Sequence, residues 1–157
     1  MTYSLEEIAD RLEIYDLYAR YVFAVDELDL AVLDRIFMPD TVFDYSTLSY
    51  GKHTYKDVQR DDFVKVAAFV TYTMHYCTNV RIDFDEDRRS ARVVSKTFFA
   101  NGVSEDGDLS LRQVHGHYAD ALVKTREGWR IKERTWHLGW STTGLELFEG
   151  TSLPEKK

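Results

Sequence analysis

Cysteine is almost absent: Cys77 is the only one in 157 residues. A disulfide framework and a cysteine-based zinc site both need more thiols, so the sequence excludes both. No apolar run approaches the length of a membrane span. Residues 1–7 lack the basic start and apolar stretch of a secretory signal. Basic charge is in deficit, with 20 Lys and Arg against 27 Asp and Glu and a net charge of −7. Nucleic acid and anionic membrane need a basic surface, which argues against either as the main partner. Nucleotide-binding glycine patterns, phosphate loops and nucleophile elbows are missing. So are linkers, repeats and low-complexity segments. The expectation is a soluble, cytoplasmic protein with one domain over residues 1–157, a core of about 5–142 and a flexible C-terminal tail.

Aromatic residues, by contrast, are plentiful at 14%, with ten Tyr and nine Phe. Large rings with few rotatable bonds build either a generous pocket for a hydrophobic ligand or simply an aromatic-rich core, and both readings stay open.

Ser4 and Glu7 form a capping box. Leu5, Ile8, Leu12, Tyr15, Tyr18, Ala19 and Val22 then recur at helical spacing, predicting a first helix to about residue 25. A shorter helix follows over 28–37, ended by Met38-Pro39. Residues 41–45 read as a strand, 46–53 as a loop around Gly51, and 54–69 as a third helix. Four strands come next in hairpin succession, at 70–84, 91–101, 111–125 and 129–140. A polar turn at 85–89, a loop at 102–108 and a tight Glu127-Gly128 turn join them. Helices gathered before antiparallel strands predict an α+β fold, with the helices on one face of a curved sheet.

The strand at 70–84 holds the most informative pattern. Alternation puts His75, Cys77, Asn79 and Arg81 on one face. A histidine on a pocket-lining face is placed to move protons.

Three segments resemble a known family. They are Tyr18-Ala19-Arg20-Tyr21-Val22-Phe23-Ala24-Val25-Asp26, His75-Tyr76-Cys77-Thr78-Asn79 and Gly128-Trp129-Arg130-Ile131-Lys132-Glu133-Arg134. Over about residues 5–142 the chain resembles the cone-shaped α+β barrel named after nuclear transport factor 2, in its SnoaL-like branch. Within that branch it is most similar to scytalone dehydratase, bile-acid 7α-dehydratase and hexachlorocyclohexane dehydrochlorinase. The resemblance implies a pocket between a mixed, mainly antiparallel sheet and three N-terminal helices. It also implies a homo-oligomer, trimer or dimer, and no cofactor.

The activity it implies is a lyase of dehydratase or dehydrohalogenase type, acting on a hydrophobic cyclic molecule. An isomerase or cyclase, or a binding module without chemistry, are the alternatives, since this fold hosts many functions. His75 would abstract a proton and Asp26 would orient and charge it. Read from the residues alone, Asp26 could instead cap the second helix, and His75 could be a satisfied core histidine. Tyr21 stands where the bile-acid dehydratase has a tyrosine and could donate to a departing oxygen or an enolate. Arg134 matches the dehydrochlorinase's catalytic arginine, or else faces outward toward Glu133 or Asp120. Tyr18, Phe43, Asn79, Phe98, Trp136 and Trp140 are the expected substrate-binding residues; alternation groups the two tryptophans with Arg134 and Leu138. The two dehydratases carry a second polar catalytic residue where this chain has Thr97-Phe98-Phe99-Ala100. His115 and His117 share a strand face without a third ligand, so no metal is expected. His53 and His137 carry no assigned role, and Gly116 marks a bend or bulge.

Overall fold

The computed structural model describes residues 2–48, 50–105 and 108–142. Helix α1 spans Leu5–Asp26, and α2 spans Leu30–Ile36. Strand β1 (Phe37–Asp44) follows without a break, then a short 3₁₀ turn at Ser46–Leu48 and strand β2 (Lys52–Thr54). A π-helical turn at Tyr55–Gln59 leads into α3 (Arg60–Phe69). The long strands are β3 (Tyr72–Phe84), β4 (Ser90–Glu105), β5 (Asp108–Thr125) and β6 (Gly128–Ser141). Among the described residues, no helix is long and apolar enough to cross a membrane.

The six strands form one curved sheet in the order β2-β1-β6-β5-β4-β3. All neighbours are antiparallel except β1 and β6, which run parallel. The α+β class and the hairpin succession match the sequence reading. Among the described residues the sheet is unclosed, however, with β2 and β3 at its two edges, so the barrel is partial.

Several boundaries move. The second helix stops at Ile36, because Phe37, Met38 and Pro39 extend β1. Pro39 sits in the register shift between Phe37 and Val42, where no ladder donor is needed. The loop expected at 46–53 contains β2. The loop expected at 102–108 is mostly strand, since β4 runs to Glu105; residues 106 and 107 lie outside the described residues, as does the tail from 143 onward.

The largest correction concerns α1. Its cap is as expected, Ser4 Oγ accepting from the Glu7 amide at 3.1 Å. Its buried face is different: Asp10, Ile14, Leu17, Tyr18, Tyr21 and Ala24. Leu5, Ile8, Leu12 and Tyr15 are exposed, Leu5 by 85% and Leu12 by 64%. The chain carries two apolar stripes, and polar anchoring selects between them. Asp10 accepts from Trp129 Nε1 at 3.0 Å and pairs with Lys124, while Glu13 Oε1 accepts the Trp129 amide at 2.8 Å. Gly128, at φ 110°, lets the β5–β6 turn come this close; a β-carbon there would meet Glu13 Oε1 at 2.2 Å.

α1 also lies along β3, running opposite to it. Arg11 donates to the Ile82 carbonyl at 3.3 Å and Tyr15 to the Val80 carbonyl at 2.9 Å. The C-terminal end of α1 is thereby carried to the His75 end of β3.

Two outcomes test this packing. Leu17→Ala should destabilise the protein by about 2–5 kcal/mol in urea unfolding, whereas exposed Leu12→Ala should stay within about 0.5 kcal/mol. Burial raises the Asp10 carboxyl, but hydrogen bonds from Lys124 and Trp129 outweigh it and leave it below the ordinary 3.8. A carboxyl lowered on folding stabilises above its unfolded value and loses that contribution as pH falls through the folded value. Asp10→Asn should therefore destabilise at pH 7 and flatten the loss of stability with acid below pH 4.

Candidate functional site

Asp26 is the last residue of α1, and it does not cap α2. That role belongs to Asp29, whose Oδ1 accepts the Val32 amide at 3.0 Å. Asp26 is left free to reach β3. Its Oδ1 lies 2.6 Å from His75 Nδ1, and its Oδ2 accepts the His75 backbone N–H at 2.9 Å. Holding the carboxylate at both oxygens fixes it against the ring and selects the tautomer with hydrogen on Nδ1. Thr73 Oγ1 stands 3.4 Å from the same nitrogen. Nε2 has no hydrogen-bond partner among the described residues. The ring stacks on Phe99 at 5.1 Å, and both side chains of the dyad keep partial exposure, 16% for His75 and 22% for Asp26.

Deeper in the fold a second polar centre is sealed in. Arg134 is wholly buried and forks onto Asp120, Nε to Oδ1 at 3.0 Å and Nη2 to Oδ2 at 2.8 Å. Tyr18 donates its hydroxyl to the same Oδ2 at 2.6 Å. The guanidinium lies against the rings of Tyr118 at 3.9 Å, Tyr21 at 4.3 Å and Phe37 at 5.3 Å. Burial alone would lower the Arg134 pKa, but Asp120 outweighs it and holds the charge in place. Burial raises the phenols of Tyr18, Tyr21, Tyr45 and Tyr118, so all four remain protonated donors. It likewise pushes the Cys77 thiol up to about 12, which keeps that group neutral. The Tyr21 and Tyr118 hydroxyls are 3.2 Å apart. One donates to the other, which leaves the second O–H proton for another acceptor.

An aromatic wall links the two centres. Phe99 touches His75 and, at 5.4 Å, Trp136; Trp136 packs on Tyr45 at 5.9 Å and Tyr118 at 6.5 Å. His75, Asp26, Tyr21, Tyr18, Arg134 and Trp136 thus share the helix-covered side of the sheet. Phe43 belongs to the adjoining aromatic core with Phe37 and Tyr45, at 5.0 and 5.7 Å. Arg134 points inward and pairs with Asp120, so the inward orientation and the alternative partner both apply.

Three expected substrate-binding residues face elsewhere. Asn79 is exposed at φ 51°, inside the register shift between Thr78 and Arg81. The extra residue reverses alternation, so Val80, Ile82 and Phe84 turn inward and Arg81 turns out to pair with Asp83. Trp140 is 49% exposed because a second bulge, at Gly139, pairs Leu138 with Gly116 but Trp140 with His115. Phe98 lies on the same outer face, against Tyr76 at 5.8 Å and His115 at 4.7 Å. Its neighbour Phe99 takes the inward place. Gly116 does sit at a bulge, and no cluster of three metal-ligating side chains occurs among the described residues. His117 stacks on His137 at 4.5 Å, outside the site.

Asp120, Tyr118 and Phe99 are the residues around the two centres that sequence reasoning missed. The signal for Asp120 was present: Tyr118, Asp120 and Leu122 share a strand face, and a lone carboxylate on an apolar face demands a buried partner.

Residues 6–135 match the SnoaL-like domain. The chain belongs to that family. It is 33% identical over 132 residues to an uncharacterised protein of Mycobacterium tuberculosis, covering 83% of this chain and 86% of that one. Its structure is similar to that of a Novosphingobium aromaticivorans protein assigned as a scytalone dehydratase, at TM-score 0.79 and 19% identity over 96% of each chain. It is also similar to a hexachlorocyclohexane dehydrochlorinase from Novosphingobium barchaimii, at TM-score 0.75 and 17% identity over 97% of this chain and 99% of that one. At those identities the two structures speak to the fold, an α+β architecture that carries small-molecule enzymes of dehydratase and dehydrochlorinase type.

Removing one member of a buried ion pair strands the other charge, whereas replacing both with apolar residues often costs little. Arg134→Met should cost about 3–5 kcal/mol in urea unfolding, and Arg134→Met with Asp120→Leu should recover most of that loss.

Proposed function

We propose that the protein is a cofactor-independent lyase that eliminates water or halide from a hydrophobic, cyclic small molecule. The observation that carries this reading is the His75 ring, fixed by Asp26 at Nδ1 with Nε2 left uncommitted. In this reading Nε2 removes a proton from a carbon next to an activating group, and Asp26 stabilises the imidazolium that forms. Departure of the leaving group is assisted by the hydroxyl proton left over in the Tyr21–Tyr118 pair. Arg134 contributes positive charge behind those rings, and its Nη1 has no partner among the described residues.

One observation favours a second reading, a binding module without chemistry. Asp26 also accepts the His75 backbone N–H, a tie that serves structure as well as catalysis.

Turnover decides between the two. Purified wild type and His75→Gln would be incubated with cyclic hydroxy-ketones, sterols and halogenated rings, and the products weighed by mass spectrometry. The lyase reading expects loss of water or hydrogen chloride by wild type, falling about 10²–10⁴-fold in His75→Gln. Asp26→Asn should also lose rate while retaining bound ligand. An isobaric product would move the assignment to an isomerase or cyclase using the same base. Equal ligand binding by both proteins with no product from either would favour the binding module.

A further inference from the structure

Asp26 is not the only group at Nδ1 of His75. Thr73 lies two residues earlier on the same face of β3 and holds its Oγ1 3.4 Å from that nitrogen. Its hydroxyl proton goes elsewhere, to Asn101 Oδ1 at 2.8 Å. Thr73 and Asn101 are direct partners across the β3–β4 ladder, and Asn101 is only 2% exposed. We infer that Thr73 and Asn101 are positioning residues for the base. Asn101 turns the threonine proton away from His75, so both side-chain oxygens at Nδ1 are acceptors and the neutral ring keeps its lone pair on Nε2. The inference rests on the reading of His75 as the base.

The argument follows one proton. A threonine hydroxyl has a single hydrogen and two lone pairs. Left free beside an imidazole, it can donate to Nδ1. A neutral ring that accepts there carries its own hydrogen on Nε2 and has no lone pair left for a ligand proton. The 2.6 Å contact of Asp26 Oδ1 with Nδ1 demands the opposite tautomer, because a carboxylate only accepts. Thr73 is compatible with that contact only while its hydrogen points away, and the Asn101 oxygen is what draws it away. At 3.4 Å the threonine oxygen adds little attraction of its own. What matters is the direction of its proton.

The ladder keeps the arrangement rigid. Thr73 is β-branched and stiff at χ1. On β4, Phe99 stands opposite His75 and stacks on its ring at 5.1 Å, while Asn101 stands opposite Thr73. One strand thus supports the face of the imidazole directly and its Nδ1 edge through Thr73. An asparagine that only filled space would leave the ring's tautomer unmoved, which separates the two roles.

The test reads the tautomer directly and needs no substrate. Nitrogen-15 NMR of the histidine rings is recorded in mildly alkaline buffer, the His75 signals being identified by their loss in His75→Gln. Wild type should carry the hydrogen on Nδ1. Asn101→Leu keeps the bulk and removes the acceptor, and the freed threonine proton should lower the ratio of Nδ1–H to Nε2–H ring about fivefold, the scale of one net hydrogen bond. Adding Thr73→Val removes that proton and should return the ratio to within about twofold of wild type. A wild-type ring with its hydrogen on Nε2 overturns the inference. So does an Asn101→Leu protein that folds with the wild-type ratio, or a double variant that fails to return toward it. Should Asn101→Leu not fold, Asn101→Ala removes the same acceptor with the same expected outcomes. On any compound that wild type turns over, Asn101→Leu should also lower kcat about fivefold with KM unchanged, and adding Thr73→Val should restore it. The expected tautomers without His75-dependent turnover would leave the positioning pair standing and sink the lyase reading. His75-dependent turnover with a tautomer ratio indifferent to Asn101 would do the reverse.

Discussion

Asp120 is the constraint on which the interior depends. A carboxylate buried to 4% exposure must have its charge answered, and three groups converge on it: two guanidinium nitrogens of Arg134 and the Tyr18 hydroxyl. These come from β6, the neighbouring strand to Asp120's own β5, and from α1. One charge therefore locks the helix to the sheet at a defined rotation. Tyr21, less than one turn beyond Tyr18, is then directed at Arg134 and Tyr118. Rings stacked on the guanidinium replace part of its lost hydration. The pair has no net charge, so the apolar surroundings hold a fixed dipole rather than an uncompensated ion.

That rotation decides where Asp26 ends. α1 is pinned to the β5–β6 turn by Asp10 and Glu13, to Asp120 by Tyr18, and to β3 by Arg11 and Tyr15. Its last residue has little freedom after so many anchors. The 2.6 Å approach of Asp26 to His75 is the far end of a helix positioned along its whole length. A pair preorganised by its scaffold can act as a base without rearrangement during the reaction. The structural centre and the candidate catalytic centre are thus separate in residues and joined through one helix.

How much of this was legible in the sequence varies with the kind of signal. The strand order from β3 to β6 follows from alternation and turn chemistry, and the meeting of Asp26 with His75 follows from the family resemblance. The outward turn of Asn79 and Trp140 does not, because a bulge adds one residue and leaves the local pattern of polar and apolar residues unchanged. Phe98 and Phe99 stand side by side, so either phase of the strand supplies an inward phenyl ring and periodicity cannot choose. The face of α1 was misread for a related reason. Its apolar positions fit two stripes, and the deciding groups, Asp10 and Glu13, were polar residues whose partners lie more than a hundred positions away. Pattern reads neighbours well, but long-range polar pairing settles phase.

The two glycines at the β5–β6 bulge complete the argument from backbone to chemistry. At Gly139 a β-carbon would meet the His115 carbonyl at 3.1 Å, and at Gly116 it would displace the indole of Trp136. Both strands approach closely only because those side chains are missing. The irregularity turns Trp140 outward, joining Tyr76, Phe98 and His115 in an aromatic row on the outer face. Trp136 lies before the bulge and keeps the inner face with Arg134 by ordinary alternation, against Phe99. A regular strand would have kept both tryptophans on one face, as simple alternation requires. The bulge splits them, and the buried Trp136 N–H has no acceptor among the described residues. A donor in that position costs stability unless something accepts from it.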